Sequence, residues 1–367
     1  IFLDIEQPDK RFLSTNGYSE DCNLYKMNRG WTVDGKIWEK ETNNCSPEDD
    51  SDIQAFYSGY GRYRTDYLRE HLDIEKYLSY RCILEAVHHY DVYAEKNYYY
   101  LNNVETGLWE VLPWDIDITF GSDHGDGHEP FRDMIVGNLS HAKRPRTGPY
   151  AMEFRNRLRE VCQLLYNEEV LFPILDGARD SIVELAAADR DRWDNFTDPH
   201  SGRKEWERYQ SLDERLDEMK AWIGKRIHQD YTDFSGNFVM SLERLCEDPD
   251  IPGQPRVLTP FDNEELIPGD LVLSSSSFSD PNPDSELAAV RWIVTRFAGN
   301  ELRPDWSIEG TGDGAMTVSV PRDALSTSVI YRCRVRHQDQ TSRWSLWSEP
   351  VTFTIRPDTG VANWREY

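Results

Sequence analysis

The sequence predicts an α+β chain, with a mixed region of strands and helices over residues 1–245 followed by an all-β sandwich over residues 256–356. Three observations lead there. The apolar period changes from helical over residues 73–87 to short strand-like runs at residues 98–101 and 108–112. Helical spacing returns across most of residues 150–227. After a proline-rich linker at residues 246–255 (CEDPDIPGQP), short alternating runs separated by Asp, Pro, Ser and Gly continue for about 100 residues. A length of 367 residues suits about two domains.

The elements follow in order. Residues 1–7 alternate enough for a strand, which Pro8-Asp9 breaks. Residues 22–40 hold two or three short strands, including residues 24–27, and residues 43–52 (NNCSPEDDSD) form a polar loop. Asp73 can cap a helix to about Val87, with Ile74, Tyr77, Leu78, Ile83, Leu84 and Val87 mostly at helical spacing. Residues 98–101 and 108–112 are two strands of a hairpin around the turn 102–107, and Pro113 ends the second. Residues 122–148 read as a long loop. Helices are expected at residues 152–165, 174–188 and 212–227, and residues 357–367 read as a tail or linker.

Composition narrows the function classes. Hydrophobic residues make up 38% and aromatics 12%, enough for a sizeable core. No run of 18 apolar residues suggests a membrane span. The net charge of -25 argues against unassisted binding to nucleic acid or anionic lipid, since both need a positive surface. It fits basic or cation-bridged partners, and solubility alone also accounts for it. Ile1 opens on what reads as a strand entered midway, so the chain is expected to be a fragment whose signal peptide would lie before residue 1. The cysteines Cys22, Cys45, Cys82, Cys162, Cys246 and Cys333 contain no CxxC pair, which argues against structural zinc. Cys22 and Cys45 could form a disulfide, while Cys82, Cys162 and Cys333 read as buried thiols. Sequons stand at Asn138 and Asn195.

The chemistry centres on Asp115 and Asp117 in residues 113–118 (PWDIDI). On an extended segment these carboxylates share a face, with Ile116 and Ile118 pointing into the core. Two adjacent carboxylates repel unless a hard cation such as Mg²⁺ joins them. A solvated turn and a cation site both account for the pair taken alone. Upstream, Asp91 and Asn97 follow the helix at residues 73–87. The order helix, Asp, loop, Asn, strand, turn, strand, Asp is the one protein kinases use for phosphoryl transfer. There one aspartate orients the attacking hydroxyl, while an asparagine and a second aspartate fix metal beside the charge of the transition state. This chain departs from that pattern. Five residues rather than four separate Asp91 from Asn97, and Asp115 sits in Trp-Asp-Ile-Asp rather than Asp-Phe-Gly.

Residues 97–101 (NYYYL), 105–109 (ETGLW) and 113–121 (PWDIDITFG) resemble the CotH spore-coat kinase family. Residues 6–13, 23–26, 153–159 and 188–193 resemble it too, so the likeness covers about residues 1–245. It implies an atypical, kinase-like fold, truncated at its N-terminus, that uses ATP with Mg²⁺ or Mn²⁺ to phosphorylate serine or threonine of secreted, surface or spore-coat proteins in a bacterium. By this resemblance Asp91 and Asp115 are catalytic, and Asn97, Asp115 and Asp117 hold metal. Glu6 lies near an adenine-binding hinge, and Lys26 faces the nucleotide or is an ordinary surface lysine. Residues 1–72 would be the remnant of an N-lobe and hinge, and residues 73–245 the C-lobe. The phosphate-binding lysine and its glutamate would then precede residue 1, leaving this fragment little activity alone. An inactive coat or adhesion protein, or a nucleotidyl transferase on the same fold, stays open as an alternative.

Further signals are weaker. His124, Asp126 and His128 could bind zinc or lie in a flexible loop, and Lys143-Arg144-Pro145-Arg146 could dock an acidic segment or be solvated. Trp114 is either a core residue or near the nucleotide. In the C-terminal region Trp344-Ser345-Leu346-Trp347-Ser348 has the WSxWS form of fibronectin type III modules. Arg332, Arg334 and Arg336 alternate with Tyr331, Cys333 and Val335, so their guanidinium groups could stack between Trp344 and Trp347.

Overall fold

The computed structural model describes residues 6–28, 36–42, 49–59, 65–89, 96–116, 119–120, 150–193, 211–232, 238–267 and 271–357. The chain divides into two compact units. The first is Ile1–Arg157 with Glu168–Leu245, the second Leu158–Asn167 with Cys246–Tyr367.

The first unit opens differently from the sequence expectation. Glu6 and Gln7 lie outside any strand, and residues 1–5 fall outside the described residues. Asp9 instead caps α1 (Lys10–Thr15), its Oδ1 accepting the amides of Arg11 at 2.8 Å and Phe12 at 3.1 Å. Strands β1 (Asn23–Asn28) and β2 (Trp38–Lys40) follow, then two helices the sequence reading lacked, α2 (Ser51–Gly59) and α3 (Thr65–His71). Both are too short to show a sustained helical period and form through tertiary packing, α2 by burying Ile53 and Phe56.

Helix α4 (Ile74–Val87) begins at the expected cap, with Asp73 Oδ1 accepting the Lys76 amide at 2.9 Å. The Asp73 amide donates to the Trp109 carbonyl at 2.8 Å, which ties the helix start to the sheet. Asp73→Ala is expected to cost about 1 kcal/mol, read as a lower urea midpoint. An unchanged midpoint would show that the cap contributes nothing.

The expected hairpin is present as β3 (Lys96–Asn103) and β4 (Leu108–Pro113), turning through Gly107 at φ +71°. The sheet runs β2-β1-β3-β4 and is antiparallel throughout. The central strand β3 is covered on both faces, so Asn97, Tyr98, Tyr99, Tyr100 and Leu101 are all buried. One face packs Leu24, Tyr99 and Leu101 against Leu13 of α1. The opposite face stacks Trp109 on Phe56 at 4.9 Å, with Tyr25 and Tyr100 beside them.

Three longer helices follow, the last two lying wholly in the first unit. They are α5 (Ala151–Leu164), α6 (Glu168–Trp193) and α7 (Leu212–His228). Helix α6 extends past the expected residues 174–188 at both ends and carries Pro173 inside it. That proline is the sixth residue of the helix, past the first turn, so it removes the bond its amide would make to the Glu169 carbonyl. Ser211 and Glu214 form a reciprocal capping box on α7. A short pair, β5 (Tyr231–Thr232) and β6 (Phe238–Val239), leads to α8 (Leu242–Cys246).

In the second unit, β7 (Val257–Thr259), β8 (Glu264–Leu266), β9 (Val272–Ser275), β10 (Leu287–Arg296), β11 (Trp306–Thr311), β12 (Thr317–Ser319), β13 (Ile330–Asp339) and β14 (Val351–Ile355) form two sheets. Their orders are β11-β10-β13-β14-β8 and β12-β9-β7. Leu273 of the smaller sheet and Val290, Trp292, Val294, Tyr331, Cys333, Val335 and Phe353 of the larger share one core. The alternation expected on β13 therefore holds, but the arginines divide. Arg336 alone is placed between Trp344 and Trp347, 4.4 and 4.5 Å from the two rings. Arg334 bonds Glu301 at 3.0 Å and the Ser348 carbonyl at 2.8 Å, and Arg332 lies over Phe297 at 5.2 Å. Residues on one strand face are about two rises apart, so a single tryptophan pair cannot serve three guanidinium groups.

The cysteines are mostly as expected. Cys82 and Cys333 are fully buried, whereas Cys162 on α5 is half-buried. The Cys22 thiol is buried 4.0 Å from Asn103 Oδ1, and Cys45 lies outside the described residues.

Candidate functional site

The end of α4 and the end of the β3–β4 hairpin come together. Helix α4 stops at Val87, and His88 caps it in a left-handed conformation, φ +48°. The Phe120 amide donates to the Val87 carbonyl at 3.0 Å. His89 Nε2 lies 3.1 Å from the Asp115 carbonyl oxygen. A carbonyl only accepts, so Nε2 carries the proton in that bond.

The last rung of the hairpin pairs Tyr98 with Pro113. Asn97 is one residue past that rung and Asp115 two, so both sit at the same end. Asn97 also marks a bulge. Lys26 faces Tyr99 and Asn28 faces Lys96, which leaves an extra residue on β3. There Asn97 takes φ +64° with a buried side chain, while Asp115 takes φ +53° with an exposed one. Phe120 follows at φ +54°. Among the described residues of the first unit, His88, Asn97, Asp115 and Phe120 are the non-glycine residues with positive φ. Each costs about 1–2 kcal/mol of backbone energy, and such conformations persist where surrounding structure enforces them, typically at functional sites.

The Trp114 ring lies against the β1–β3 face, edge-to-face with Tyr99 at 5.4 Å and 82°. Lys26 Nζ stands 5.6 Å from the same ring. Glu39 of β2 is paired with Lys26 in register. Burial raises the Glu41 carboxyl above its usual range, Glu39 raises it further and Lys26 opposes the shift. Burial also raises the Tyr99 phenol, with Glu41, Glu39 and Asp115 adding to it, so Tyr99 stays protonated. Glu39, Glu41, Lys26, Trp114 and Asp115 thus gather around Tyr99.

The structure therefore brings Asn97 and Asp115 to one place and sets Lys26 against Trp114. Glu6 is exposed. Asp91, Asp117, the HxDxH stretch at residues 124–128, Arg144 and both sequons lie outside the described residues. The Asn97 amide oxygen and the Asp115 carboxylate are hard donors that suit Mg²⁺ or Mn²⁺. Among the described residues no group of three His, Cys, Asp or Glu is arranged to hold a metal. In donor chemistry the residues fit a hard cation, with Asp117 as the further candidate. His89, Phe120, Tyr99 and Glu41 escaped the sequence reading. Tyr99 and Phe120 stand inside the family-like segments 97–101 and 113–121, and His89 stands two residues before Asp91 as the kinase loop's histidine stands before its aspartate.

Among the described residues, no helix is long and apolar enough to cross a membrane. The chain is 31% identical over 106 residues to the inner spore coat protein H of Bacillus subtilis (strain 168). That match covers 28% of this chain and 29% of the relative, so it spans under a third of the relative's length. Solved structures with some likeness include the α-L-rhamnosidase from Dictyoglumus thermophilum (16% identity, TM-score 0.26, 30% of this chain and 13% of that one). Fibronectin(III)-like modules of Clostridium thermocellum CbhA match at 11% identity and TM-score 0.24, over 38% of this chain and 65% of theirs. At TM-scores this low neither likeness assigns a fold. The family profile described as CotH kinase protein matches residues 1–228. With that match over more than half its length, the chain belongs to the CotH kinase protein family.

Proposed function

We propose that the first unit is an atypical kinase-like domain that transfers the γ-phosphoryl group of ATP to serine or threonine hydroxyls of coat or other extracellular proteins. The observation that carries this reading is the convergence of His89, Asn97 and Asp115 at one strained junction, in the chain order phosphoryl transfer requires. The name of the Bacillus relative supports a coat or surface location. The two-sheet second unit, with its WSxWS segment, reads as a fibronectin type III-like module.

In this reading Asn97, Asp115 and Asp117 would hold Mg²⁺ or Mn²⁺, which supplies charge neutralisation at the phosphates. Asp91 orients the attacking hydroxyl and accepts its proton. His89 holds the Asp115 backbone through its carbonyl, so the carboxylate is set before substrate arrives.

The test uses the full-length protein with ATP labelled at either the α or the γ phosphate, with Mg²⁺ or Mn²⁺ and coat-protein extract as acceptor. Label from the γ position is expected on serine or threonine. Asp115→Ala is expected to reduce it at least about a hundredfold, in line with removing a preorganised charge-stabilising group. Label from the α position would replace kinase activity by nucleotidyl transfer. No label with either metal would overturn both.

A further inference from the structure

Lys26 is not simply a lysine on a strand. It is half-buried on β1, directly opposite Tyr99 of β3, and its ammonium stands 5.6 Å from the centroid of the Trp114 ring. Tyr99 meets the same ring edge-on at 5.4 Å. Trp114 also packs against the cluster of Leu13, Cys22, Leu24, Tyr99 and Leu101, so its ring is fixed on several sides. The next residue is Asp115, in its left-handed conformation. Its carbonyl is held by His89, and Val87 holds the backbone again at Phe120. The segment carrying Asp115 is thus pinned after the aspartate by α4 and before it by Trp114.

A left-handed aspartate relaxes to an ordinary conformation unless both flanks resist rotation. On the upstream flank the resisting group is an indole, and a cation facing an indole is a favourable, orientation-dependent contact. The ammonium is therefore engaged on the residue adjoining Asp115. Glu39 pairs with Lys26 across the β1–β2 ladder, and Lys26 lowers the Glu41 carboxyl against the burial that raises it.

We infer that Lys26 serves the reaction as a positioning residue, acting through the Trp114 ring to hold Asp115 in its metal-binding conformation, and does not contact the nucleotide. This rests on the reading of Asp115 as a metal-holding carboxylate.

The experiment separates the two readings. Mn²⁺ affinity is measured by electron paramagnetic resonance titration of the purified protein, and affinity for metal-free ATP by calorimetry. Asp115→Ala comes first: if it leaves Mn²⁺ affinity unchanged, the metal reading of Asp115 fails, whatever Lys26 does. With that control in hand, Lys26→Met is expected to weaken Mn²⁺ binding about threefold to tenfold, the range of a partly exposed cation–π contact. Metal-free ATP binding should stay within twofold. Lys26→Arg should restore Mn²⁺ affinity, since a guanidinium also faces indole rings well. The opposite pattern, weaker ATP binding with Mn²⁺ affinity intact, would overturn the inference. A cycle with Trp114→Phe gives an independent check that tolerates mild destabilisation. The two substitutions are expected to be non-additive in Mn²⁺ affinity, and strict additivity would show that Lys26 does not act through the ring.

Discussion

Arg226→Ala is expected to destabilise the chain by about 3–5 kcal/mol, the range for removing one partner of a buried ion pair. The Arg226 side chain is fully buried on α7. Its Nη2 donates to the Glu85 carboxylate at 2.8 Å and to the Glu85 carbonyl at 3.0 Å, and its Nη1 donates to the Met240 carbonyl. Alanine would leave the Glu85 carboxylate, itself mostly buried, without this cation and two backbone carbonyls without their donor. Arg226→Lys keeps the charge but not the planar fork, and should recover only part of the loss. Urea unfolding of the whole chain reads both variants. A loss under 1 kcal/mol for alanine would mean that α4 and α7 hold without the pair. The consequence reaches the site, because Glu85 lies two residues before Val87 on the helix end that anchors the Asp115 segment.

Stability of the second unit is expected to depend on pH through His337. Its ring is fully buried, with Nε2 3.1 Å from Ser275 Oγ and Nδ1 buried without a hydrogen-bond partner. Burial lowers its pKa from 6.5 to about 4. Above pH 6.5 the ring is neutral in both states and costs nothing. Between 6.5 and 4 the unfolded chain binds a proton that the folded chain does not, so stability falls as pH falls. Below about 4 both states are protonated and the slope ends. The whole window is worth about 3 kcal/mol. Urea unfolding of wild type and His337→Gln between pH 7 and 4 isolates it from the many carboxylates. The stability difference between the two proteins should shrink by about that amount on acidification, and parallel curves would dismiss the linkage.

What could be read in advance was what neighbouring residues settle among themselves. The α4 cap, the β3–β4 hairpin and α7 rest on a capping aspartate, two short apolar runs around a glycine turn and a 3.6-residue period. Helices α2 and α3 gave no such signal, since nine and seven residues are too few to establish a period. Glu110 shows a further limit. It reads as a polar residue on a strand, yet it is buried and accepts from Lys76 at 2.7 Å, Tyr18 at 3.0 Å and Asn103 at 2.8 Å. Two of those partners are 34 and 92 residues away.

The candidate site divides along the same line. Residue type and element order named Asn97 and Asp115 as hard oxygen donors, because side-chain chemistry belongs to the residue itself. The extended run expected to turn Ile116 into the core does not form: Asp115 is left-handed and Ile116 is exposed, because the chain leaves the ladder at Pro113. The bulge that turns Asn97 left-handed exists only because β1 pairs with β3 out of step. His89 meets the Asp115 carbonyl only because α4 ends where the hairpin ends, and Arg336, not its two neighbours, meets both tryptophans only because residues 344–347 pass beside it. These are contacts between segments distant in sequence, and their geometry is set by how whole elements pack, which no local pattern encodes.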